Sequence, residues 1–331
     1  MQNRLTATER DGRKIELLAA NTPPTKPQSG FTLVELCVVI AAVALIGMTI
    51  LPALARTRPN TGISQCMNNA RQLAVAVQMY TLDNNDLYPP NPEGGSTDTN
   101  IANEGYIWCT GNVAGGMPGI PLAHQTFNSD YLTNRNYSLL AAYINNTPTA
   151  FSCPADPRLG NYQGTNSSLI GETVHAARSI SMNQGVGTAD LSWLNGGGHA
   201  GKPIAPVNGP WLTGSHGANT HDNPWATFGK TADFRVVKPS QIFLTADEDP
   251  YSINDASLAV IAGTPKLIDY PATFHDHGST FSFCDGHVEL HRWEGSLIVL
   301  NSPPSMRSVP SSGPDFDDWT WLWQHATVRM H

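Results

Sequence analysis

One stretch decides the fold predicted for this chain: Phe31-Thr-Leu-Val-Glu-Leu-Cys-Val-Val-Ile-Ala-Ala-Val-Ala-Leu-Ile-Gly-Met-Thr-Ile-Leu51. The stretch is apolar apart from Thr32, Glu35 and Thr49. As an α-helix it would be roughly 31 Å long, about the thickness of the hydrocarbon core of a bilayer. The sequence therefore predicts a single membrane-spanning helix near the amino terminus.

Two residues distinguish this stretch from an ordinary signal anchor. Glu35 lies within the apolar run, where a carboxylate costs about 2.5 to 3.5 kcal/mol to insert and therefore requires a partner. An ordinary secretory signal has its small-residue cleavage site after the apolar run. Here the small residue, Gly30, comes before the run. Cleavage at Gly30 would keep the helix on the mature protein.

The segment Lys26-Pro-Gln-Ser-Gly-Phe-Thr-Leu-Val-Glu-Leu36 resembles the processing site of type IV prepilins and type II secretion pseudopilins. The resemblance implies that a prepilin peptidase cuts between Gly30 and Phe31 and that the new amine of Phe31 is methylated. It also implies that Glu35 pairs with the terminal amine of a neighbouring subunit during assembly. The implied partners are the peptidase, other pilin or pseudopilin subunits and the inner-membrane assembly machinery.

The resemblance gives a domain plan and a location. Residues 1–30 are the cleavable leader, 31–55 the transmembrane and assembly helix, and 63–331 the pilin-like head, whose first element is an amphipathic helix over 63–84. The expected fold class is α+β, with a long amino-terminal transmembrane and amphipathic helix packed on an antiparallel β-sheet head that carries large loop insertions. The protein is expected in the inner membrane as a single-pass protein with a periplasmic head, and then in a pilus, a pseudopilus or at the cell surface.

Composition agrees with an exported head and excludes one class of partner. Charged residues make up 14% of the chain, there are 29 glycines and 25 prolines, and the formal net charge is −8. Nucleic acid is not an expected partner, because binding its backbone requires clustered Lys and Arg. The five cysteines are scattered and form no C-x-x-C pair. A disulfide between Cys109 and Cys153 is the first pairing to consider. Other pairings stay open, because four head cysteines allow three complete pairings.

The carboxyl-terminal part contains recognisable strand patterns. Residues 178–183 and 241–246 are short β-like runs that are expected to pair in one sheet. Residues 279–284 and 287–291 alternate around Asp285-Gly286, which predicts a hairpin with a two-residue type I′ turn and with His287, Glu289 and His291 on its solvated face. Three tryptophans that alternate near the end predict a last strand with the indoles on one side: Trp319, Trp321 and Trp323.

His275 is followed by nine residues and then Asp285-Gly286, which resembles the His-x9-Asp-Gly signature at the end of a pilin-like group abundant in planctomycete and verrucomicrobial bacteria. Two uses of these residues stay open. His275 and Asp285 would lock the loop before the hairpin, or the local imidazoles and carboxylates would hold a cation. Calcium is the expected cation if acidic groups dominate, as in some major pseudopilins. The candidate residues are His275, His277, Asp285, Asp247 and Asp249.

The first functional hypothesis is a non-enzymatic structural subunit, a major or minor pilin or pseudopilin that assembles into a type IV pilus or a type II secretion pseudopilus. The alternative is a surface-exposed accessory or tip subunit that binds a polysaccharide or an exported substrate. A third hypothesis, an exported metal-dependent hydrolase, requires an open metal position and a general base beside His275 or Asp285.

Overall fold

The computed structural model describes residues 32–42, 61–91, 107–190, 204–215 and 224–330. The chain divides into two compact units, residues 1–58 and 59–331. Gly30 and Phe31 lie outside the described residues.

In the first unit, residues 33–42 form helix α1. The helix begins at a capping box, because Glu35 Oε2 accepts hydrogen bonds from the Thr32 N–H at 2.9 Å and the Thr32 Oγ1 at 2.8 Å. In return, the Glu35 N–H donates to Thr32 Oγ1 at 3.3 Å. These bonds satisfy backbone groups that have no partner within a helix. All described residues of α1 are exposed.

The expected transmembrane helix is not supported. Among the described residues, no helix is both long and apolar enough to cross a membrane, a task that needs about 20 consecutive apolar residues. The structure describes α1 over residues 33–42, and residues 43–60, which include the rest of the predicted apolar run, lie outside the described residues. The next described helix carries Asn68, Asn69 and Arg71. The predictions of one long amino-terminal helix and of single-pass anchoring in the inner membrane are therefore wrong for the residues that the structure describes.

The second unit begins with helix α2, Thr61–Asp83, where the sequence predicted an amphipathic helix over 63–84. Its buried side chains recur at helical spacing, and they fix the face that packs on the sheet. They are Cys66, Asn69, Ala70, Leu73, Ala74, Ala76, Val77 and Thr81. This face contacts three strands of the central sheet.

The remaining elements are short. The strands are β1 Leu159–Asn161, β2 Thr173–His175, β3 Ile180–Asn183, β4 Thr188–Asp190, β5 Ile204–Pro206, β6 Phe243–Asp247, β7 Ser257–Leu258, β8 Lys266–Leu267, β9 Gly278–Phe283, β10 Val288–Arg292 and β11 Arg307–Ser308. Within the described ranges, the other α-helices are α3 Asp130–Thr133 and α4 Pro314–Gln324, and four 3-10 helices cover Leu139–Tyr143, Pro148–Phe151, Thr231–Asp233 and Pro239–Gln241.

The central sheet has the strand order β10-β9-β6-β3-β7. The predicted pairing of the two β-like runs is confirmed, because β3 lies antiparallel to β6. The sheet is nevertheless mixed, since β7 runs parallel to β3. Three two-stranded sheets lie outside it: β1-β2, β4-β5 and β8-β11. The expected fold class, a long helix on an antiparallel sheet, is therefore wrong in two respects. The described residues contain no long amino-terminal transmembrane helix, and the central sheet is mixed.

The three central strands β3, β6 and β9 are buried along their whole length. Buried polar residues alternate with the apolar ones in β3 and β9, including Ser181, Thr280 and Ser282. Leu244 and Met182 belong to one apolar cluster with Leu73 and Val77 of α2. Phe243 and Phe281 belong to a second cluster, which also contains Trp319 and Leu322 of α4. The sheet thus has α2 in one core and α4 in the other.

The predicted hairpin is confirmed, with Val288 opposite Ser282 and Arg292 opposite Gly278. Its turn differs from the prediction. The Phe283 N–H donates to the His287 O and the Gly286 N–H donates to the Phe283 O, both at 2.9 Å, so the loop contains three residues. Only Gly286 has a positive φ, +94°, whereas a type I′ turn needs two such residues. A Cβ at Gly286 would also lie 2.6 Å from Gln78 Nε2 of α2.

The three tryptophans near the end lie on a helix instead of a strand. Pro314 occupies the first turn of α4 together with Asp315 and Asp317, an arrangement that favours helix initiation. On a helix, Trp319 and Trp323 share one face while Trp321 points elsewhere. The indoles therefore do not form the row that the sequence predicted.

His291 is not on a solvated face. Its ring stacks on Trp321 with the centroids 3.6 Å apart, and its Nε2 is buried with no hydrogen-bond partner. Burial, helped by repulsion from His325, lowers the pKa of His291 from 6.5 to about 4. The α4 helix covers this end of β10, which the alternation of the strand alone did not indicate.

This covered imidazole predicts acid sensitivity. A histidine whose pKa is lowered in the folded state contributes stability above pH 6.5, and that stability is lost as the pH falls toward 4, because the unfolded chain binds the proton more tightly. Between pH 7 and pH 5, we expect the free energy of unfolding of the parent protein to fall by about 1 to 2 kcal/mol more than that of His291→Phe. This figure is already reduced for the partial exposure of His291. Urea unfolding at pH 7 and at pH 5 measures the free energy of unfolding of each protein. The exposed His124→Gln should behave like the parent protein, and equal pH dependence in all three would contradict the prediction.

Candidate metal centre

Four buried side chains from four parts of the head converge on one point. They are Cys66 of α2, Cys153 after the 3-10 helix Pro148–Phe151, Asp247 at the end of β6 and His275 in the turn before β9. One donor atom from each side chain lies within 4.8 Å of the other three. The four exposed fractions are 0% for Cys66, 2% for Cys153, 1% for Asp247 and 3% for His275. We call this set the Cys-Asp-His cluster.

Direct contacts hold the cluster together. The Cys66 Sγ–H donates to Asp247 Oδ2 at 2.9 Å. Cys153 Sγ lies 3.2 Å from His275 Nε2. His275 Nε2 lies 3.9 Å from Asp247 Oδ2. The two thiols, the imidazole and the carboxyl therefore form one continuous network.

The helix and the loop that carry the two cysteines are fixed to one another. Asn69, almost one turn after Cys66, donates from Nδ2 to the Thr149 O and to the Ser152 O, both at 2.8 Å. The Cys153 N–H donates to Ser179 Oγ at 2.6 Å. The Ala155 N–H donates to Cys153 Sγ at 3.4 Å, a contact that stabilises negative charge on the sulfur.

Asp247 and His275 are held by the sheet and by a tight turn. Asp247 Oδ2 also accepts the Thr280 N–H from β9 at 3.4 Å. After His275, Asp276 and His277 both have left-handed backbones, with φ of 55° and 59°. Arg292 Nη1 closes this turn by donating to the Asp276 O and to Asp276 Oδ2, both at 2.7 Å.

The environment disfavours charge in the protein alone. A hydrogen bond to Cys153, burial and the nearby Asp247 carboxyl all raise the pKa of the Cys66 thiol. Burial raises the pKa of Asp247 to about 7, against the hydrogen bonds from Cys66 and Thr280. Burial also lowers the pKa of His275. A divalent cation reverses this preference, because it stabilises thiolate and carboxylate ligands.

The cluster includes two residues that the sequence marked and omits three. His275 and Asp247 meet as candidate ligands. Asp249 instead accepts the Tyr251 N–H through Oδ1 at 2.9 Å. Asp285 and His287 form an exposed pair, with Oδ1 and Nδ1 2.6 Å apart. His277 is exposed in the turn. The hydrogen bonds that hold this turn come from Arg292 and from the N–H groups of His275 and Trp293, and Asp285 takes no part in them.

Sequence reasoning missed the two cysteines of the cluster. Chain distance explains this, since 181 residues separate Cys66 from Asp247 and 122 separate Cys153 from His275. A weak indication was available, because Cys66 precedes Ala70, Leu73 and Val77 at the spacing of one buried helix face. Cysteine is among the residue types most often buried, so its place on this face did not by itself indicate a ligand.

The expected disulfide between Cys109 and Cys153 is not present, since both residues are free thiols. Cys153 lies beside Cys66 in the cluster instead, while Cys109 is fully buried in the core that contains Trp108 and Phe151. Burial raises the pKa of Cys109 to about 12, which keeps it a neutral thiol.

The donor set does not meet the condition under which calcium was expected, because acidic groups do not dominate it. Calcium takes six to eight oxygen ligands, whereas this cluster offers one carboxylate, one imidazole and two thiols. Thiolate and imidazole donors suit zinc and related borderline-soft ions. Comparison of the chain with family models, with curated proteins and with solved structures found no match in any of the three.

Proposed function

We propose that this chain is a non-enzymatic structural subunit of the pilin or pseudopilin type, processed between Gly30 and Phe31 and assembled with other copies through its amino-terminal helix. The observation that carries the proposal is the surface of α1. Six large apolar side chains of this helix are 48% to 78% exposed: Leu33, Val34, Leu36, Val38, Val39 and Ile40. A helix that is apolar all round is stable when other surfaces cover it.

The expected occupant of that surface is the same helix of other copies. The six exposed residues point in all directions around α1, so a groove on one side would cover only some of them. A bundle of identical helices covers every side and buries the apolar area, with a favourable free energy of about 25 cal/mol per Å². The resemblance of residues 26–36 to prepilin processing sites agrees with this use.

Glu35 supports the proposal through its charge. Its carboxylate caps its own helix, and the hydrogen bonds from the backbone and the hydroxyl of Thr32 lower the pKa of Glu35. The side chain is therefore an anion at neutral pH, in the first turn of α1. Cleavage after Gly30 would place a new amine on Phe31, next to Thr32. An ionised Glu35 is the group that can attract such an amine on a neighbouring copy.

The head supports a structural subunit more than an enzyme. A catalytic metal site keeps one coordination position open for water or substrate. In the Cys-Asp-His cluster, all four side chains are at most 3% exposed, and they contact one another directly. The cluster therefore offers four buried protein ligands, the closed arrangement of a structural metal site, which argues against the hydrolase hypothesis.

Processing is tested by the amino-terminal peptide of the protein from native cells. We expect a mature chain that starts at N-methyl-Phe31 and is enriched in the sheared surface fraction. Gly30→Ala should retain the leader and lower the amount in that fraction at least about tenfold. Gly62→Ala is the matched control, because a Cβ at Gly62 meets nothing within 4 Å. A parent chain that keeps its leader, or that is cut after the apolar segment, would overturn the proposal.

The role of the Glu35 charge has a separate test. Glutamine at this position of a capping box still accepts the Thr32 hydrogen bonds, so Glu35→Gln removes the charge and keeps the cap. We expect normal cleavage but at least about a tenfold loss from the sheared fraction. Glu289→Gln, on β10 of the head, should assemble normally. If Glu35→Gln assembled as well as the parent chain, the carboxylate would have no part in docking.

A further inference from the structure

We propose that the Cys-Asp-His cluster binds one zinc ion, with Cys66 Sγ, Cys153 Sγ, Asp247 Oδ2 and His275 Nε2 as its four ligands. The three distances known between these atoms are 2.9, 3.2 and 3.9 Å, and all pairs lie within 4.8 Å. The edges of a tetrahedral zinc site with nitrogen, oxygen and sulfur ligands are about 3.3 to 3.8 Å. Shifts of a few tenths of an ångström would bring the two closest pairs to these values, and a pair at the 4.8 Å limit would close by about 1 Å.

The chemistry of the donors selects zinc. Two thiolates, one imidazole and one carboxylate are a mixed set that a borderline-soft divalent ion accepts in tetrahedral geometry. Each cysteine exchanges its S–H bond for an S–Zn bond and releases one proton to solvent, and no oxidant or reductant is involved. The two thiolates and the Asp247 carboxylate carry three negative charges against the two positive charges of the ion, so the site has a net charge of −1.

A second observation points to a cation independently of the ligand count. Asp247 Oδ1 is buried and has no hydrogen-bond partner among the described residues. A buried carboxyl oxygen without a partner is costly, and native proteins usually pair such groups. The neighbouring Glu248 accepts the Ser252 hydroxyl through Oε1 at 3.0 Å, and its Oε2 is also buried without a partner in the part of the chain that the structure describes. Asp247 differs from Glu248 because its other oxygen, Oδ2, faces two thiols and an imidazole. A cation bound at Oδ2 would draw negative charge from the whole carboxylate and so lower the cost of burying Oδ1.

The positions of the ligands define what the ion does. They belong to α2, to the loop after the 3-10 helix Pro148–Phe151, to β6 and to the turn before β9. Zinc would therefore join the helix to the sheet on which it packs and to two loops. This is a structural role, because four protein ligands leave no position for a reacting group. The site would be present whether or not the chain assembles into filaments.

The test uses the full chain purified under reducing conditions. We expect about one zinc per chain by elemental analysis. After chelation and reloading, Co²⁺ should saturate at one equivalent and give both the thiolate-to-cobalt charge-transfer band and the visible bands of tetrahedral cobalt. Chelation should lower Tm by at least about 5 °C, and zinc should restore it. The cobalt spectrum of the parent protein does not depend on any variant folding correctly.

Matched variants assign the ligands. Cys66→Ser and Cys153→Ser should each weaken zinc binding more than about 100-fold and abolish the zinc-dependent shift in Tm. Cys109→Ser and Cys284→Ser, at buried cysteines outside the cluster, should change affinity less than about threefold. His275→Asn should lose the ion, whereas His277→Asn, which tolerates the left-handed backbone, should keep it.

Three results would overturn the inference. The first is a full chain that takes up less than about a tenth of an equivalent of zinc or cobalt. The second is bound cobalt without the thiolate charge-transfer band, which would place the ion elsewhere. The third is a Cys66–Cys153 disulfide in protein whose thiols were alkylated at lysis, because such a bond removes both sulfur ligands.

Discussion

Arg158→Met is expected to lower the free energy of unfolding of the head by about 3 to 5 kcal/mol, because it leaves the buried carboxylate of Asp156 without its partner. Arg158 and Asp156 are 0% and 1% exposed at their side chains, and Nη2 lies 2.6 Å from Oδ2. Arg158 Nε also donates to Asp156 Oδ1 at 3.0 Å. The variant keeps the hydrogen bond from the backbone N–H of residue 158 to Asp156 Oδ1, at 3.0 Å, and loses those from the guanidinium.

The same guanidinium joins separate parts of the chain. Nη1 donates to the Val113 O and Nη2 to the Arg178 O, both at 2.7 Å. The Asp156 N–H in turn donates to the Cys153 O at 3.1 Å. Loss of Arg158 should therefore also loosen the loop that carries Cys153. A rise in the reactivity of Cys153 toward an alkylating reagent would show this second effect.

Denaturant unfolding measures the change, and Arg235→Met is the matched control. Arg235 is exposed and donates one hydrogen bond, from Nε to the Ala232 O at 3.1 Å. Its replacement should cost less than about 0.5 kcal/mol. The double variant Asp156→Leu with Arg158→Met should be less destabilised than the sum of the two single variants. Equal costs for Arg158→Met and Arg235→Met would show that the buried pair contributes nothing.

Phe281→Ala is expected to lower the free energy of unfolding by about 3 to 5 kcal/mol, since it removes a large ring from a packed core. Phe281 lies on β9 and is 0% exposed. Its ring meets those of Trp321 at 4.9 Å, Phe243 at 5.3 Å and Trp293 at 5.9 Å between centroids, each edge to face. The cavity would lie between the central sheet and α4.

Two measurements check this second prediction. Denaturant unfolding gives the energy, and tryptophan emission should move to longer wavelength because Trp293 and Trp321 lose their dry contact with the ring. Leu82→Ala is the control, because Leu82 of α2 is 76% exposed and its removal should change stability by less than about 0.5 kcal/mol. An unchanged emission spectrum with full stability would mean that α4 does not pack on β9.

Local patterns were reliable where one element explains them. The alternation on either side of Asp285-Gly286 gave the hairpin, and the apolar stripe that includes Leu73 and Val77 gave α2. The last tryptophans were misread because three alternating aromatics outweighed the helix-start pattern at Pro314, Asp315 and Asp317. The turn was misread because Asp285 does not adopt the positive φ that a type I′ turn requires.

The sequence alone determined the hairpin, the pairing of residues 178–183 with 241–246, the helix α2, and His275 and Asp247 as candidate ligands. Only the tertiary structure decided that Cys66 and Cys153 join them. The physical reason is that periodicity reports which face of an element is buried, but not which distant element covers that face. The packing of α2 on β6 and β9 brings a helix cysteine to a strand carboxyl 181 residues away, and no spacing along the chain encodes that contact.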